Sequence, residues 1–328
     1  MDIRFQKTFF FIFAALTTIT TLLFASCSHV NAADNGTTAD TSVKTNVTTV
    51  ENTQADTLTL PETGTFQATA RDSSFFYAYR SKVIEQRWDT LPLNSLIIHT
   101  GEFFLGTPYV SHTLEVNNTE QLIINLREMD CATFMEQSLA LALTASSGDF
   151  TFERLVRTLR TLRYRNAKTD GYASRLHYLE DWIYENERNG FVSNITQELG
   201  GTATPKVINY MTTHTDIYKN LHEQRDIDTL KMVERRMSQS ERYVILRNNI
   251  TPQILSKIQD GDIIAFTTDV KGLDCAHVGF ARRGTDGTVH FLHCSLSNHK
   301  VLLTSRSLTQ YMSNKKHFTG IEVIRPKQ

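Results

Sequence analysis

The sequence predicts an α+β fold, a helix packed on an antiparallel sheet, with a large helical insertion between the two. Three observations predict it. A helical run, Cys131-Ala132-Thr133-Phe134-Met135-Glu136 continuing through Leu143, follows Asp130, a good N-cap. Near the C-terminus, Ile263-Ile264-Ala265-Phe266 reads as a strand, and a hairpin follows with arms around 277–283 and 289–295. Thr285-Asp286-Gly287 supplies its turn. Between these regions, residues 150–258 carry mostly helical apolar spacing.

The chain has 328 residues, long enough for about two domains or for one with a large elaboration. With 40% apolar and 21% charged residues, it has the material for a real core, which excludes wholesale disorder. Lys plus Arg number 34 against 35 Asp plus Glu, so no basic surplus points to a nucleic-acid partner. Four cysteines, Cys27, Cys131, Cys275 and Cys294, are too few for a disulfide-dense scaffold.

The N-terminal segment is an address. Arg4 and Lys7 precede a largely apolar run over residues 9–24, short for a spanning helix but suited to a signal-peptide core, so residues 1–26 read as a signal peptide. Leu23-Phe24-Ala25-Ser26-Cys27 resembles a bacterial lipobox. That resemblance implies cleavage before Cys27, lipidation of its thiol, and a membrane-anchored lipoprotein on the periplasmic side of the cell envelope. Ordinary cleavage near Ala32 and a retained anchor are the alternatives. Residues 27–65, rich in Thr, Asn, Asp and Ser, read as a flexible tether.

Ordered structure is expected from about Phe75, with Leu96-Ile97-Ile98 as a strand and Gly106-Thr107-Pro108-Tyr109 as a turn. Leu122-Ile123-Ile124-Asn125-Leu126 reads as a buried strand. Phe152, Leu155, Val156, Leu159 and Leu162 mark a helix whose arginines, Arg154, Arg157, Arg160, Arg163 and Arg165, form either a solvated face or a receptor for carboxylates. Ser174 is expected to cap a second helix bearing Leu176, Leu179, Trp182 and Ile183, and Thr251-Pro252 to open a third.

The chemistry centres on Cys131. A thiolate is a good nucleophile, but it needs a positive environment and a base. A helix N-terminus favours the anion, and such positions beside a histidine carry thiol pKa values of roughly 3.5–7.5. Asp130 opposes this in part. His277 and His293 sit on the two arms of the hairpin, close to cross-strand on one face. One can act as base while the other orients it. Cys275 should share that face and Cys294 point away, so these two read as small buried thiols, with a disulfide as the alternative.

Five segments, in order, resemble the NlpC-type, papain-like cysteine hydrolases of bacterial cell walls: Gly106-Thr107-Pro108-Tyr109, Asp130-Cys131-Ala132-Thr133-Phe134, Asp260-Gly261-Asp262-Ile263-Ile264-Ala265-Phe266, His277-Val278-Gly279-Phe280 and Phe291-Leu292-His293-Cys294-Ser295. The resemblance implies a papain-like NlpC-type core over about residue 100 to the C-terminus. It implies Cys131 as nucleophile, His277 as base, His293 as the imidazole that orients it and Tyr109 as a hydroxyl near the thiolate. Thr107, Asp130, Tyr172, Arg175 and Ser295 are the candidate substrate-binding residues. No cofactor is implied and no metal: there is no HExxH helix, and His290 and His293 point to opposite faces of a strand.

Ala132-Thr133 replaces the usual Ser-Gly after the nucleophile, and Ser111-His112 replaces a glycine pair. The long interval between Cys131 and His277, with Gly171-Tyr172-Ala173-Ser174-Arg175-Leu176-His177-Tyr178 and Asn194-Ile195-Thr196-Gln197-Glu198-Leu199-Gly200-Gly201, is similar to the N-acetylmuramoyl-L-alanine amidase-like branch. That branch implies cleavage between the lactyl group of N-acetylmuramic acid and L-Ala. The more usual superfamily activity, between γ-D-Glu and the diamino acid, is the alternative, and a non-catalytic muropeptide-binding lipoprotein is a third reading. With no wall-binding repeat apparent, soluble muropeptides are the expected substrate.

Overall fold

The main sheet is built from strands between residues 192 and 326. A computed structural model describes residues 64–327, which fall within one compact unit. The segments read as a signal peptide and, except for Gly64 and Thr65, as a tether, Cys27 included, lie outside the described residues. Among the described residues, no helix is long and apolar enough to cross a membrane.

Among the described residues the first element is β1 (Phe66–Gln67), earlier than Phe75, followed by α1 (Ala70–Glu85). The start is fixed by a capping box in which Thr69 and Asp72 satisfy each other's backbone N–H groups. Buried Asp72 also accepts from the Leu126 N–H at 2.9 Å and from Arg127 Nε at 3.0 Å, tying α1 to the segment after β2 (Leu122–Ile123). The strand β2 is buried as its apolar run predicts, but only two residues pair, in parallel with β1.

Leu96-Ile97-Ile98 is not a strand; it lies inside α2 (Leu93–Phe103). A short apolar run has the same composition in either state. Here Leu93, Leu96, Ile97, Thr100 and Gly101 are buried at helical spacing.

Helix α3 (Cys131–Ser146) is the centre of the molecule. It is buried on nearly every side, Glu136, Gln137 and Ser138 in its middle included. It packs on α2, on α4 (Phe152–Arg163) and on one face of the main sheet. That sheet has eight strands, with β3 (Val192–Asn194), β4 (Thr202–Ala203), β5 (Tyr243–Leu246), β6 (Ile263–Thr268), β7 (Cys275–Arg283), β8 (Val289–Ser295), β9 (Lys300–Leu303) and β10 (Phe318–Pro326). The order is β4-β5-β10-β6-β7-β8-β9, all neighbours antiparallel, and β3 shares with β5 one edge of β10. Val278, Phe280, Leu292 and Cys294 face α3, and the Phe134 ring meets Phe280 edge-on at 5.7 Å. Phe266, Phe291, Ile321 and Val323 form a second core on the opposite face.

Residues 150–258 are therefore not a purely helical insertion. They hold α4, α5 (Leu179–Arg188), α6 (Tyr210–Thr213), α7 (Gln224–Gln239) and α8 (Pro252–Lys257), but also β3, β4 and β5. The β-branched run of β5 finds its backbone partners on β10, far along the chain. Thr251 caps α8 with Pro252 in its first turn, as read from sequence. Ser174 does not cap α5: it closes a 3-10 turn by donating to Gly171 O, and Leu176 precedes the helix.

Of the α4 arginines, Arg160 and Arg163 are buried and bonded, neither a solvated face nor open to ligands. Arg163 is buried, bonds Glu136 of α3 at 2.7 Å and donates to Ile123 O at 2.7 Å. Arg160 reaches Thr65 O and Thr169, Arg157 reaches Asp149, and Arg165 reaches Asp181. They clamp α4 to its surroundings.

Removing one partner of the Arg163–Glu136 pair leaves a buried charge alone, which costs about 3–5 kcal/mol. Arg163→Met is expected to lower the urea midpoint accordingly, with much of the loss recovered in an Arg163→Met/Glu136→Leu double variant. A single variant as stable as the wild type rules this account out.

Candidate active site

Cys131 is the first residue of α3, and its N-cap is fully satisfied. Asp130 Oδ1 accepts from the Thr133 N–H at 2.8 Å and its hydroxyl at 2.9 Å, while the Asp130 N–H donates to Thr133 Oγ1 at 2.9 Å. Thr133, which stands where the usual motif has Gly, is thus the second half of a capping box. The thiol is completely buried and meets β7 at the backbone N–H of Val278, the residue after His277.

The segment from Gly106 to Val110 positions Tyr109. Gly106 N donates to Val301 O and Val301 N to Thr107 O, so the segment runs along edge strand β9. Tyr109 N then bonds His299 O, and Tyr109 forms a bridge with Met129, two residues before Cys131. The Tyr109 phenol lies within electrostatic reach of Cys131, Asp130 and Cys294, and burial, with Cys131 next, pushes its pKa above the usual range. His112 sits at φ 60, the left-handed conformation that the absent glycine would adopt freely.

His277 and His293 come together. His277 Nε2 lies 2.7 Å from His293 Nδ1, with the rings nearly perpendicular at 87°. They are diagonal rather than directly opposed, because β7 and β8 pair Phe280 with Leu292. Continuing that register puts Gly279 opposite His293. A Cβ on Gly279 would lie 2.6 Å from Leu292 O and 2.8 Å from His293 Cβ, so glycine makes the space for the imidazole.

A bulge decides which side chains share a face with these histidines. β6 pairs Phe266 with His277 but Thr267 with Cys275, one step on β6 against two on β7. Ala276 therefore joins the second core with Phe266, while Cys275 joins Cys131 and Cys294 in the first. Strict alternation, which puts Cys275 with the histidines, fails here for that reason. Cys275 and Cys294 are free buried thiols, donating to His277 O and Met129 O, both at 3.2 Å.

The electrostatics describe a neutral resting site. Burial, then the Asp130 charge, pushes the Cys131 thiol well above its ordinary pKa, against backbone N–H contacts from Val278, Ala132 and Cys131 itself. The helix terminus thus does not bring the thiol into the range expected from its position, since desolvation outweighs it. Burial, with Lys315 adding to it, lowers His277 to about 3. His293 is held well below the usual range by burial, then by His277 and Lys315.

The remaining sequence candidates are placed as follows. Thr107 lies on the strip beside β9. Ser295 closes the turn after β8, donating to Asn298 Oδ1 at 3.0 Å and accepting from the Asn298 N–H at 3.2 Å. Arg175 is buried in ion pairs with Glu115 at 2.5 Å and Glu120 at 3.4 Å, stacked on the Tyr172 ring. The Tyr172 hydroxyl also bonds Glu115. Sequence reading missed Tyr311, on α9 (Leu308–Ser313), and Lys315 just beyond it. Tyr311 packs against both imidazoles, at 5.1 Å from His293 and 6.4 Å from His277. A short polar helix remote in sequence carries no local signal of this. Among the described residues, no group of three or more His, Cys, Asp or Glu is placed to hold a metal ion.

The comparisons with known proteins place this chain among bacterial cell-wall hydrolases of amidase type. It belongs to the AmiA-like family, described as N-acetylmuramoyl-L-alanine amidase-like, which matches residues 99–321. The structure of an N-acetylmuramoyl-L-alanine amidase from Bacteroides uniformis is 35% identical, with a TM-score of 0.67 over 72% of this chain and 99% of that one. A Bacteroides fragilis protein described as a candidate xylanase is 38% identical, with a TM-score of 0.64 over 69% of this chain and 99% of that one. Protein LPG0564 from Legionella pneumophila, 21% identical with a TM-score of 0.60 over 79% of this chain and 95% of that one, shares the fold. No curated protein sequence matches. Family membership implies a peptidoglycan-derived substrate.

Two expectations follow. His277, depressed to about 3 in the folded state against about 6.5 unfolded, binds its proton preferentially in the unfolded chain. Its contribution to stability is complete above pH 6.5 and is lost as pH falls towards 3. His277→Gln should therefore flatten the decline of melting temperature between pH 7 and 4; a profile parallel to wild type contradicts this. Asp130→Asn keeps a good cap while removing the negative charge beside the thiol. Alkylation of Cys131 by iodoacetamide should then reach half-maximal rate at lower pH, and an unchanged midpoint removes Asp130 from the account.

Proposed function

We propose that the protein is a cysteine-dependent N-acetylmuramoyl-L-alanine amidase with an NlpC-type, papain-like core. The observation that carries this is a buried free thiol at the start of α3, meeting β7 beside His277, whose Nε2 is 2.7 Å from His293 Nδ1. With His277 donating from Nε2, its Nδ1 is the ring nitrogen left to accept the thiol proton.

The reaction begins from thiol and neutral imidazole. As Cys131 Sγ attacks the carbonyl carbon, its proton passes to His277 and the carbonyl oxygen becomes an oxyanion. The Cys131 backbone N–H and the Tyr109 hydroxyl are the donors proposed for that oxygen. The C–N bond then breaks, and the leaving L-Ala nitrogen takes the proton from His277. Water, deprotonated by His277, hydrolyses the thioester to the lactyl carboxylate and restores the thiol. His293 orients the base. Thr107, Asp130 and Ser295 are the residues proposed to touch substrate, whereas Arg175 and Tyr172, both bonded to Glu115, shape the body.

The preferred substrate in this reading is a soluble muropeptide fragment. Cys27 carries the lipid that holds the enzyme on the periplasmic side of the envelope membrane, a reading supported by the lipobox-like sequence. Intact mass after detergent extraction tests this: an unmodified Cys27 removes the anchor.

Digestion of a defined disaccharide-tetrapeptide, read by mass spectrometry, tests the bond. Release of intact tetrapeptide and free disaccharide is expected, and cleavage after γ-D-Glu instead makes the enzyme an endopeptidase. Cys131→Ala should lower turnover at least about 10³-fold without unfolding the protein. Near-wild-type turnover ends the assignment, and binding without turnover by the wild type leaves only a muropeptide-binding lipoprotein.

A further inference from the structure

His277 stands where the regular ladder ends. From Phe280 back to His277, β7 pairs residue by residue with β6; the next step is the bulge, where Thr267 pairs with Cys275 and Ala276 is left over. A bulge re-aims the side chains beside it and breaks the ladder locally. The backbone that carries the imidazole is therefore held by the β6 ladder on one side only.

Side chains take over on the other side. Asp274 Oδ1 accepts the Cys275 N–H at 2.7 Å, and the Cys275 thiol donates to His277 O at 3.2 Å, spanning Ala276. Arg242 Nη2 donates to Asp274 O at 3.0 Å. On the facing strand, Lys206 Nζ donates to the carbonyl of Thr268, the residue after Thr267. Arg242 and Lys206 both belong to the stretch over residues 150–258, between Cys131 and His277. That stretch thus grips each strand of the bulge by a backbone carbonyl.

The grip is itself held. Arg242 Nη2 also bonds Glu322 of β10 at 2.6 Å, and its Nε bonds Glu180 of α5. Asp274 Oδ2 accepts the Glu180 N–H at 3.0 Å, and so supplies the acceptor that Tyr178, the N-cap of α5, lacks in its side chain. Arg242, Asp274 and Glu322 are only 7%, 2% and 1% exposed. Well-packed apolar side chains fill such a place at equal or greater stability, so the charges are not needed to fill it. What they add is direction: a fork of donors aimed at one carbonyl, and a carboxylate aimed at two N–H groups.

We propose that Arg242 and Asp274 are positioning residues for the catalytic base: they hold the β7 bulge so that His277 stays at hydrogen-bond distance from His293. The proposal rests on the reading of Cys131, His277 and His293 given above. A misplacement of about 1 Å at a reacting group costs on the order of 10²-fold in rate. A slack bulge therefore reaches kcat without touching substrate.

The imidazole pair reports on this directly. In full-length Cys131→Ala protein, ring-nitrogen NMR sees the proton shared by His277 Nε2 and His293 Nδ1, whatever the role of Cys131. Asp274→Ala and Arg242→Met should weaken or abolish that signal and speed amide exchange at Cys275 about tenfold or more. Asp274→Asn, which keeps one acceptor oxygen, should fall in between. In active protein, Asp274→Ala and Arg242→Met should each lower kcat about tenfold or more with KM within about twofold. Arg325→Met, which removes the two bonds from Arg325 to buried Asp262 at the far end of β6, should cost stability but leave the signal and kcat unchanged. Either an unaltered shared-proton signal or an unaltered kcat in the folded Asp274→Ala and Arg242→Met proteins overturns the proposal. An equal loss in Arg325→Met overturns it too, since any lesion of the sheet would then serve. Should these variants not fold, Asp274→Asn and Arg242→Lys, which keeps the charge without the fork, carry the same comparison. Hydrolysis by Cys131→Ala would instead reject the underlying reading.

Discussion

The packing of α3 against one face of β7 and β8 is the constraint on which the rest depends. The helix is buried on nearly every side, and the sheet supplies one wall while α2 and α4 supply others. With the helix seated this way, its first residue reaches the backbone of Val278. The thiol meets the strand that bears the imidazole because the core requires that contact. The site is a by-product of a packing solution, and α3 cannot shift without exposing the core.

Enclosure also sets the electrostatics. A thiol in a dry interior is pushed towards its neutral form, and so is an imidazole, by the same desolvation acting on opposite charges. The resting pair is therefore uncharged. Asp130 follows the same logic: its capping bonds to Thr133 hold the helix start in place, while its charge keeps the thiol protonated. Placing the thiol firmly and favouring its anion are in opposition at this residue.

Around this centre, polar groups are used to fasten elements together. Arg163 ties α4 to Glu136 in the middle of α3, and Arg175 gathers Glu115, Glu120 and Tyr172 from separate segments. Such pairs contribute little net stability, but breaking one is costly, so they select a single arrangement of the elements. The added strands β3 and β5 do the same through backbone bonds, both pairing with one edge of β10.

Sequence alone determined the features whose causes are local. The cap of α3 at Asp130, the start of α8 at Thr251-Pro252, strand β6 and the hairpin turn at Gly287 are settled by residues within a few positions of one another. It also singled out Cys131, His277, His293 and Tyr109, whose motifs are contiguous, and the structure brings His277 Nε2 within 2.7 Å of His293 Nδ1. What lay beyond it depends on distant contacts. Leu96-Ile97-Ile98 became helix because the neighbouring core demanded that spacing. Part of the stretch read as helical became sheet because β10 offered it an edge. Only the tertiary structure decided that a bulge sends Cys275 to the thiol side, or that Tyr311 closes over the histidines. The physical reason is common to all of these: caps and turns are satisfied within one or two turns of chain, whereas edges, bulges and ring cages exist only once separate strands have met.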